Sequence, residues 1–338
     1  MTTFQCKRLK NTRPRKSNAV RHVILALVPI LTVLTLMACR QNDLLVGLTP
    51  IYITTQTVEA TQTPTPTMTP TPTMSLTPTS IPEEVIVVAA GDIASCYNDN
   101  DELTAQLLDE IPGTVLALGD NVYPSGTLED FMNCYDATWG RHKDRTKPVP
   151  GNREYLTLDA DGYFVYFDEI EPYYAFNLGS WRIYALNSEI DVSPRSEQMI
   201  WLRQDLAAHP SQCTLAYWHQ PRWSSGSQQG SNENYQALWQ LFYEADAELV
   251  LNAHEHHYER FAQMDAQGNV VSRGLRQIVV GTGGRSLYGY GRMLPGTQVR
   301  YASAYGVLKV TLRPDGYDWQ FVPVAGSSFS DRGSTKCH

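Results

Sequence analysis

The sequence predicts a layered α/β domain over residues 84–338, an α/β/β/α sandwich, and three observations carry that reading. Continuous apolar runs of strand length break off at Asp, Asn or His. Helix-like stretches separate them, at 101–110, 196–208 and 234–245. Two hairpin signals come late, one over 173–187 turning at Gly179-Ser180 and one over 305–324 turning at Pro314-Asp315-Gly316. Nothing in the stretch repeats, so one large domain is expected.

The chain ahead of that domain has a different composition. Lys7, Arg8, Lys10, Arg13, Arg15, Lys16 and Arg21 stand in the first 22 residues with no acidic partner. An apolar run follows from Val23 to Ala38, interrupted by Pro29. It is shorter than the roughly 20 residues that span a bilayer. A basic region followed by a short apolar one reads as a secretory signal over 1–38. Leu36-Met37-Ala38-Cys39 resembles a bacterial lipoprotein cleavage box, which would make Cys39 a lipid anchor. An uncleaved N-terminal anchor is the alternative, and both place the remainder outside the cytoplasm. Residues 40–83 are Thr/Pro-rich, with Pro64, Pro66, Pro70, Pro72, Pro78 and Pro82 removing backbone donors and fixing φ. Such a stretch cannot bury a core and is expected to be a disordered stalk.

The whole sequence holds 27 Lys+Arg against 35 Asp+Glu; without the seven basic residues of the leader the balance is 20 to 35. That excess of acid argues against nucleic acid or an anionic lipid surface as partner, leaving the N-terminal anchor as the sole membrane contact. It also leaves carboxylates to hold metal cations. Beyond Cys6 and Cys39, the cysteines are Cys96, Cys134, Cys213 and Cys337. An even number in an oxidising compartment suggests two disulfides. Three connectivities are open, and Cys96–Cys134 with Cys213–Cys337 is the preferred one. A thiolate metal site is disfavoured, because no C-x-x-C spacing occurs.

Taken in order, Val85-Ile86-Val87-Val88-Ala89-Ala90 reads as a strand buried on both faces and ends in Gly91-Asp92. Thr114-Val115-Leu116-Ala117-Leu118 ends in Gly119-Asp120, with Tyr123 close behind. Lys147-Pro148-Val149-Pro150 ends in Gly151-Asn152, and its prolines make it a poor central strand. Thr214-Leu215-Ala216-Tyr217-Trp218 ends in His219. Glu248-Leu249-Val250-Leu251 leads to Asn252, His254 and His256. The last two histidines are two apart, so an extended backbone turns both imidazoles to one side, where a divalent metal would suit them. Sites in α/β sheets form outside the carboxyl ends of strands. Five runs that all end in possible ligands point to one shared site. In the helix-like stretch 196–208, Ile200, Leu202 and Leu206 give a partial apolar face, and Pro210 stops it.

Gly91-Asp92, Gly119-Asp120 with Tyr123, Gly151-Asn152 with Glu154, His219, and Ala253-His254-x-His256-x-Tyr258-Glu259-Arg260 resemble the five metal motifs of calcineurin-like metallophosphoesterases. Tyr123, and the lack of a histidine two after Asp92, resemble the purple acid phosphatase branch. The likeness covers about 85–325. It implies a sandwich of the metallophosphoesterase type and two metal ions. Asp92, Asp120, Tyr123 and His256 would hold one, and Asp120, Asn152, His219 and His254 the other. Two carboxylates and a phenolate suit Fe(III); imidazoles and an amide oxygen suit Zn, Mn or Fe(II). The implied activity is that of a phosphoric ester hydrolase acting on small-molecule phosphate esters outside the cytoplasm, with hydroxide supplied by the metal pair attacking phosphorus in line.

The chain departs from the pattern at Arg153, where the family usually has His, and at Ala253, where Gly is usual. Arg cannot give up a proton to a leaving group but can brace a phosphate. Arg153, His257, Arg222 and Tyr258 are therefore the candidates for phosphate contact. The alternatives are a phosphodiesterase of the same fold, or a tethered metal-binding module with little turnover. A mononuclear hydrolase fits poorly, since seven candidate ligands exceed the needs of one ion.

Overall fold

A computed structural model describes residues 84–338; the expected signal over 1–38, Cys39 and the linker over 40–83 lie outside the described residues. Two sheets carry the domain. One has six strands, in the order Arg332–Lys336, Gly316–Pro323, Gly306–Arg313, Val85–Ala90, Thr114–Leu118 and Thr146–Val149. The other has seven: Thr297–Tyr301, Tyr258–Met264, Leu275–Val280, Leu249–Asn252, Cys213–Tyr217, Trp181–Ala185 and Tyr174–Leu178. The strands that end in candidate ligands are parallel to their ligand-bearing neighbours, Val85–Ala90 with Thr114–Leu118, the latter with Thr146–Val149, and Cys213–Tyr217 with Leu249–Asn252. Parallel pairing brings their carboxyl ends out on one edge of each sheet.

The alternation along the second sheet shows why those runs are apolar throughout. Ile183, Ala185, Leu215, Tyr217, Leu249 and Leu251 join a core that also takes Val87, Ala89, Leu116, Val310 and Tyr317 of the first sheet. Their chain neighbours Tyr184, Ala216 and Val250 turn the other way, into a cluster with Met199, Leu202, Leu238, Trp239 and Phe242 of two helices. A strand covered on both sides has no polar face to offer, hence no alternation in its sequence.

Those two helices are Glu197–Ala208 and Gln236–Glu244. Ser196 caps the first, accepting from the Met199 backbone N–H at 3.3 Å. Its buried face differs from the expected one. Met199 and Leu202 are buried and Leu206 packs against them, whereas Ile200 is 44% exposed. Positions 199, 202 and 206 share one helical stripe; residue 200 is about 100° off it. The third helix, Asn100–Glu110, sends Ala105 and Leu108 into the core it shares with the first sheet.

Both expected hairpins are present, Tyr174–Leu178 with Trp181–Ala185 and Gly306–Arg313 with Gly316–Pro323. Pro148 lies in Thr146–Val149, at the rim of the six-stranded sheet, where a missing N–H leaves no ladder partner unmatched.

The disulfides are Cys96–Cys134 and Cys213–Cys337, with Cα atoms 5.1 and 5.6 Å apart. The second fastens the chain just after Arg332–Lys336, the rim of one sheet, to the first residue of Cys213–Tyr217 in the other. It closes a span of 124 residues, the first one of 38. Loop-closure entropy then predicts that Cys213→Ala with Cys337→Ala costs about 5 kcal/mol and Cys96→Ala with Cys134→Ala about 4. Urea unfolding of the two double variants checks the order; a larger loss from the shorter span would contradict it.

Candidate metal centre

Three of the site residues adopt left-handed backbone: Asp92 at φ 57°, Asp120 at φ 48° and His254 at φ 70°. Asp and His tolerate this region better than most residues, but it still costs about 1–2 kcal/mol each. Each stands just past the end of a strand, and the turn directs its side chain into the space outside the sheets. Glycines before Asp120 and Asn152 make room. A Cβ on Gly119 would lie 2.7–2.8 Å from the His219 side chain, and one on Gly151 would collide with an Asp120 carboxylate oxygen. Ala253 is outside the left-handed set, so the family's glycine is not required there for its φ.

The side chains meet in two halves. In one, the Tyr123 hydroxyl is 2.8 Å from Asp92 Oδ1, 2.8 Å from Asp120 Oδ2 and 3.2 Å from His256 Nε2. His256 Nε2 is also 3.2 Å from Asp92 Oδ1. In the other, His219 Nε2 is 3.4 Å from Asp120 Oδ1 and 3.1 Å from His254 Nδ1. Asp120, His219 and His254 each bring a ligand atom within 4.8 Å of the others. Asp120 thus offers one oxygen to each half. Asn152 Oδ1 is buried without a hydrogen-bond partner.

The imidazoles are oriented for lone-pair donation. His219 Nδ1 is 2.9 Å from the Leu118 carbonyl and His256 Nδ1 is 2.6 Å from the Ser286 carbonyl. A carbonyl only accepts, so each Nδ1 carries the proton and each Nε2 faces the cluster with its lone pair. Burial pushes the Asp120 carboxyl up, and so does the neighbouring Asp92 carboxylate. Burial, then Asp120 and Asp92, hold the Tyr123 hydroxyl well above its ordinary value. Burial also opposes ionisation of Asp92, but His256 and the other two imidazoles win and hold it low. His254 is pushed down to about 3 by burial and by His219. Two buried carboxylates, a phenol, an orphaned amide oxygen and lone pairs aimed inward are costly together unless cations balance them. The donor set fits a pair of metal ions.

Glu154 holds the loops that carry these groups. It is fully buried and accepts from the backbone N–H groups of Asn121 at 2.9 Å, Val122 at 3.2 Å and Gly151 at 2.7 Å. Arg153 stands at the site: its backbone N–H donates to Asp120 Oδ1 at 2.8 Å, its Nε is 3.7 Å from Asp120 Oδ2, and its side chain is 39% exposed.

The other three candidates for phosphate contact are turned elsewhere. His257 is wholly buried, with Nε2 3.2 Å from Glu259 Oε2, and Glu259 is in turn held by the Ser225 N–H and the Thr297 hydroxyl. The chain bends through 254–257, with His254 at φ 70°, instead of running extended as the sequence suggested, and His257 faces Glu259 rather than the cluster. Arg222 donates to Gln236 Oε1 at 2.7 Å and lies 3.8 Å over the Trp223 ring. Tyr258 donates to Asp331 at 2.7 Å, beside the Arg260–Asp331 ion pair. All three brace the scaffold.

The loop after Leu275–Val280 escaped the sequence reading. Its strand is another buried run, but it ends Gly281-Thr282-Gly283-Gly284-Arg285 with no Asp, Asn or His to mark it. The Arg285 N–H donates to the Asp92 carbonyl at 2.8 Å, and the Tyr288 N–H to the His256 carbonyl at 2.9 Å.

Residues 86–258, about half of the chain, match the calcineurin-like phosphoesterase family. Purple acid phosphatase 15 of Arabidopsis thaliana is 29% identical over 252 residues, which is 61% of this chain and 46% of that protein. Probable purple acid phosphatase 20 of the same plant is 34% identical over 99 residues, 27% of this chain and 23% of the relative. Among solved structures, purple acid phosphatase PPD1 from yellow lupin (Lupinus luteus) seeds superposes with a TM-score of 0.59 at 18% identity, over 75% of this chain and 54% of that one. GAP50, the anchor in the inner membrane complex of Plasmodium, gives 0.61 at 15% identity, over 75% and 89%. These likenesses show the metallophosphoesterase fold. The chain spans about half the length or less of the plant phosphatases it matches.

Cations that relieve the buried charge should stabilise the fold. A divalent ion at a hundredfold excess over its Kd adds about 2.7 kcal/mol. Thermal unfolding with Zn or Mn against chelator should show this rise, and Asp120→Asn should lose most of it. An equal rise in that variant would place the ions elsewhere.

Proposed function

We propose that this chain, which belongs to the calcineurin-like phosphoesterase family, is an extracytoplasmic phosphoric ester hydrolase with a two-metal site. The observation that carries the reading is Asp120, whose two oxygens face the two halves of the cluster. Asp92, Asp120, Tyr123 and His256 would hold one ion, and Asp120, Asn152, His219 and His254 the other. The phenol and carboxylates suit a hard ion such as Fe(III), and the imidazoles with the amide oxygen suit Zn, Mn or Fe(II). When bound, such a pair supplies Lewis acidity toward phosphoryl oxygens and a hydroxide nucleophile near neutral pH.

The protein's own residues do the rest. The Leu118 and Ser286 carbonyls fix the tautomers of His219 and His256. Glu154 keeps the loops around Asn121 and Gly151 in register with Asp120. Arg153, partly exposed and with its guanidinium carbon 5.1 Å from the Tyr123 ring centroid, offers a planar fork to phosphate oxygens. It does not release a proton, so protonation of the leaving group falls to solvent. Good leaving groups, or diesters, suit such a site best. The two disulfides support an oxidising compartment, and the basic leader with its Thr/Pro-rich stalk supports a tethered enzyme. Among the described residues no helix is long and apolar enough to cross a membrane. Arg153 also favours a second reading, a tethered metal-binding module with weak turnover.

Two measurements test this. Arg153→His should raise kcat on alkyl phosphates by roughly 10- to 100-fold and change kcat on p-nitrophenyl phosphate little, as expected of an added general acid; equal rates on alkyl phosphates remove that role. Metal-replete wild type that leaves p-nitrophenyl phosphate intact favours the second reading. Iron-loaded protein should show a visible phenolate-to-Fe(III) absorption band that Tyr123→Phe abolishes; a band surviving the substitution rejects Tyr123 as ligand.

A further inference from the structure

The loop over residues 281–291 is pinned to the ligand cluster at three points. The Arg285 N–H reaches the Asp92 carbonyl at 2.8 Å, His256 Nδ1 lies 2.6 Å from the Ser286 carbonyl, and the Tyr288 N–H reaches the His256 carbonyl at 2.9 Å. The Tyr288 ring stacks on the His256 ring at 3.9 Å with planes 10° apart. So held, the Arg285 guanidinium carbon stands 5.0 Å from the centroid of the Tyr123 ring, and that of Arg153 stands 5.1 Å from the same centroid.

The two cations are held differently by the protein. Among the described residues no carboxylate lies within ion-pair distance of Arg285, and its guanidinium has no hydrogen-bond acceptor. Arg153 has one long ion pair, Nε to Asp120 Oδ2 at 3.7 Å, and that Nε has no hydrogen-bond partner. Two like charges beside one ring repel each other, and the attraction of the ring's π-face offsets only part of that. Both side chains are partly exposed at the mouth of the site. A single phosphate laid across two metal ions has few oxygens left for two further guanidinium forks. A second anionic group next to the scissile one would use them.

We propose that Arg285, together with Arg153 beside the same Tyr123 ring, determines specificity by taking a second phosphate adjacent to the scissile one, so that the site prefers phosphoanhydrides to simple monoesters. This deepens the hydrolase reading and rests on it for turnover. With ADP as substrate, one water is consumed, the bond between the β-phosphorus and the bridging oxygen breaks, and AMP and inorganic phosphate leave.

The experiment uses metal-replete, full-length protein as wild type, Arg285→Ala and Arg285→Lys, with ADP and AMP as substrates. Arg285→Ala should lower kcat/KM for ADP about 10- to 100-fold, the loss of a charge-assisted pair of hydrogen bonds. For AMP the drop should stay under about threefold on the same scale. Arg285→Lys should recover part of the loss, and metal content should be unchanged. Calorimetry with methylenediphosphonate and methylphosphonate gives a readout free of turnover. Wild type should bind the diphosphonate more tightly, and Arg285→Ala should lose that preference. Equal losses on ADP and AMP, no loss on either, or no diphosphonate preference in wild type each overturn the proposal. Wild type that hydrolyses neither nucleotide yet keeps an Arg285-dependent preference overturns the hydrolase reading and leaves this one standing. Should Arg285→Ala fail to fold by circular dichroism, Arg285→Gln takes its place in every comparison.

Discussion

The Asp120 carboxylate is the group on which the rest of this structure turns. One oxygen lies 2.8 Å from the Tyr123 hydroxyl and the other 3.4 Å from His219 Nε2. It is 2% exposed and raised by burial and by Asp92, and His219, the Arg153 N–H and the Tyr123 hydroxyl offset only part of that. A residue placed this way is held by others. The Arg153 N–H donates to one of its oxygens, Gly151 leaves room for the carboxylate, and Glu154 ties the loops on either side. The left-handed turns at Asp92, Asp120 and His254 add strain in the same place. Strain and buried charge together are tolerable where a ligand takes up the charge, and a metal pair would do so at the point where both converge.

The remainder of the fold supplies rigidity for that convergence. A one-residue slip of strands buried on both faces would exchange the side chains packed into the two cores and misfit both, so the positions of their ends are fixed by the core. Ile183, Leu215 and Leu249 face one core while Tyr184, Ala216 and Val250 face the other. The ligands following those strands inherit that register. The Cys213–Cys337 bridge adds a covalent tie between the two sheets at the far end of the strand that delivers His219.

Much of this was legible because strand and site are consecutive in sequence. An apolar run that breaks at Asp, Asn or His gives its own signal, and that signal singles out Asp92, Asp120, Asn152, His219, His254 and His256 as candidates. The disulfide pairing was one of three open to the sequence, since which cysteines meet is decided by the crossing of the two sheets. His257 and Arg222 lie close in sequence to the candidate ligands, yet the bend at 254–257 turns His257 toward Glu259 and a loop turns Arg222 toward Gln236. Ile200 failed through a phase error of one residue on a helix. Arg285 and Tyr288 gave no signal, because backbone hydrogen bonds to Asp92 and His256 put them in place and such bonds leave no mark on side-chain identity.

Charge brings these strands of argument together. Beyond the basic leader the chain carries 20 basic and 35 acidic residues, a balance that repels phosphate at long range. Screening confines that repulsion to about 8–10 Å at physiological ionic strength. Inside that distance Arg153, with only a 3.7 Å ion pair to Asp120, and Arg285, with no ion pair among the described residues, both stand beside the Tyr123 ring. On the proposed reading, a ligand with one charge would gain little here beyond what the ions would give it, while one with charge spread over neighbouring phosphates would meet both the ions and the guanidinium groups. An acidic domain with an island of positive charge at its mouth therefore selects by charge distribution as well as by total charge, and that is a property of the loop carrying Arg285 as much as of the ligands beneath it.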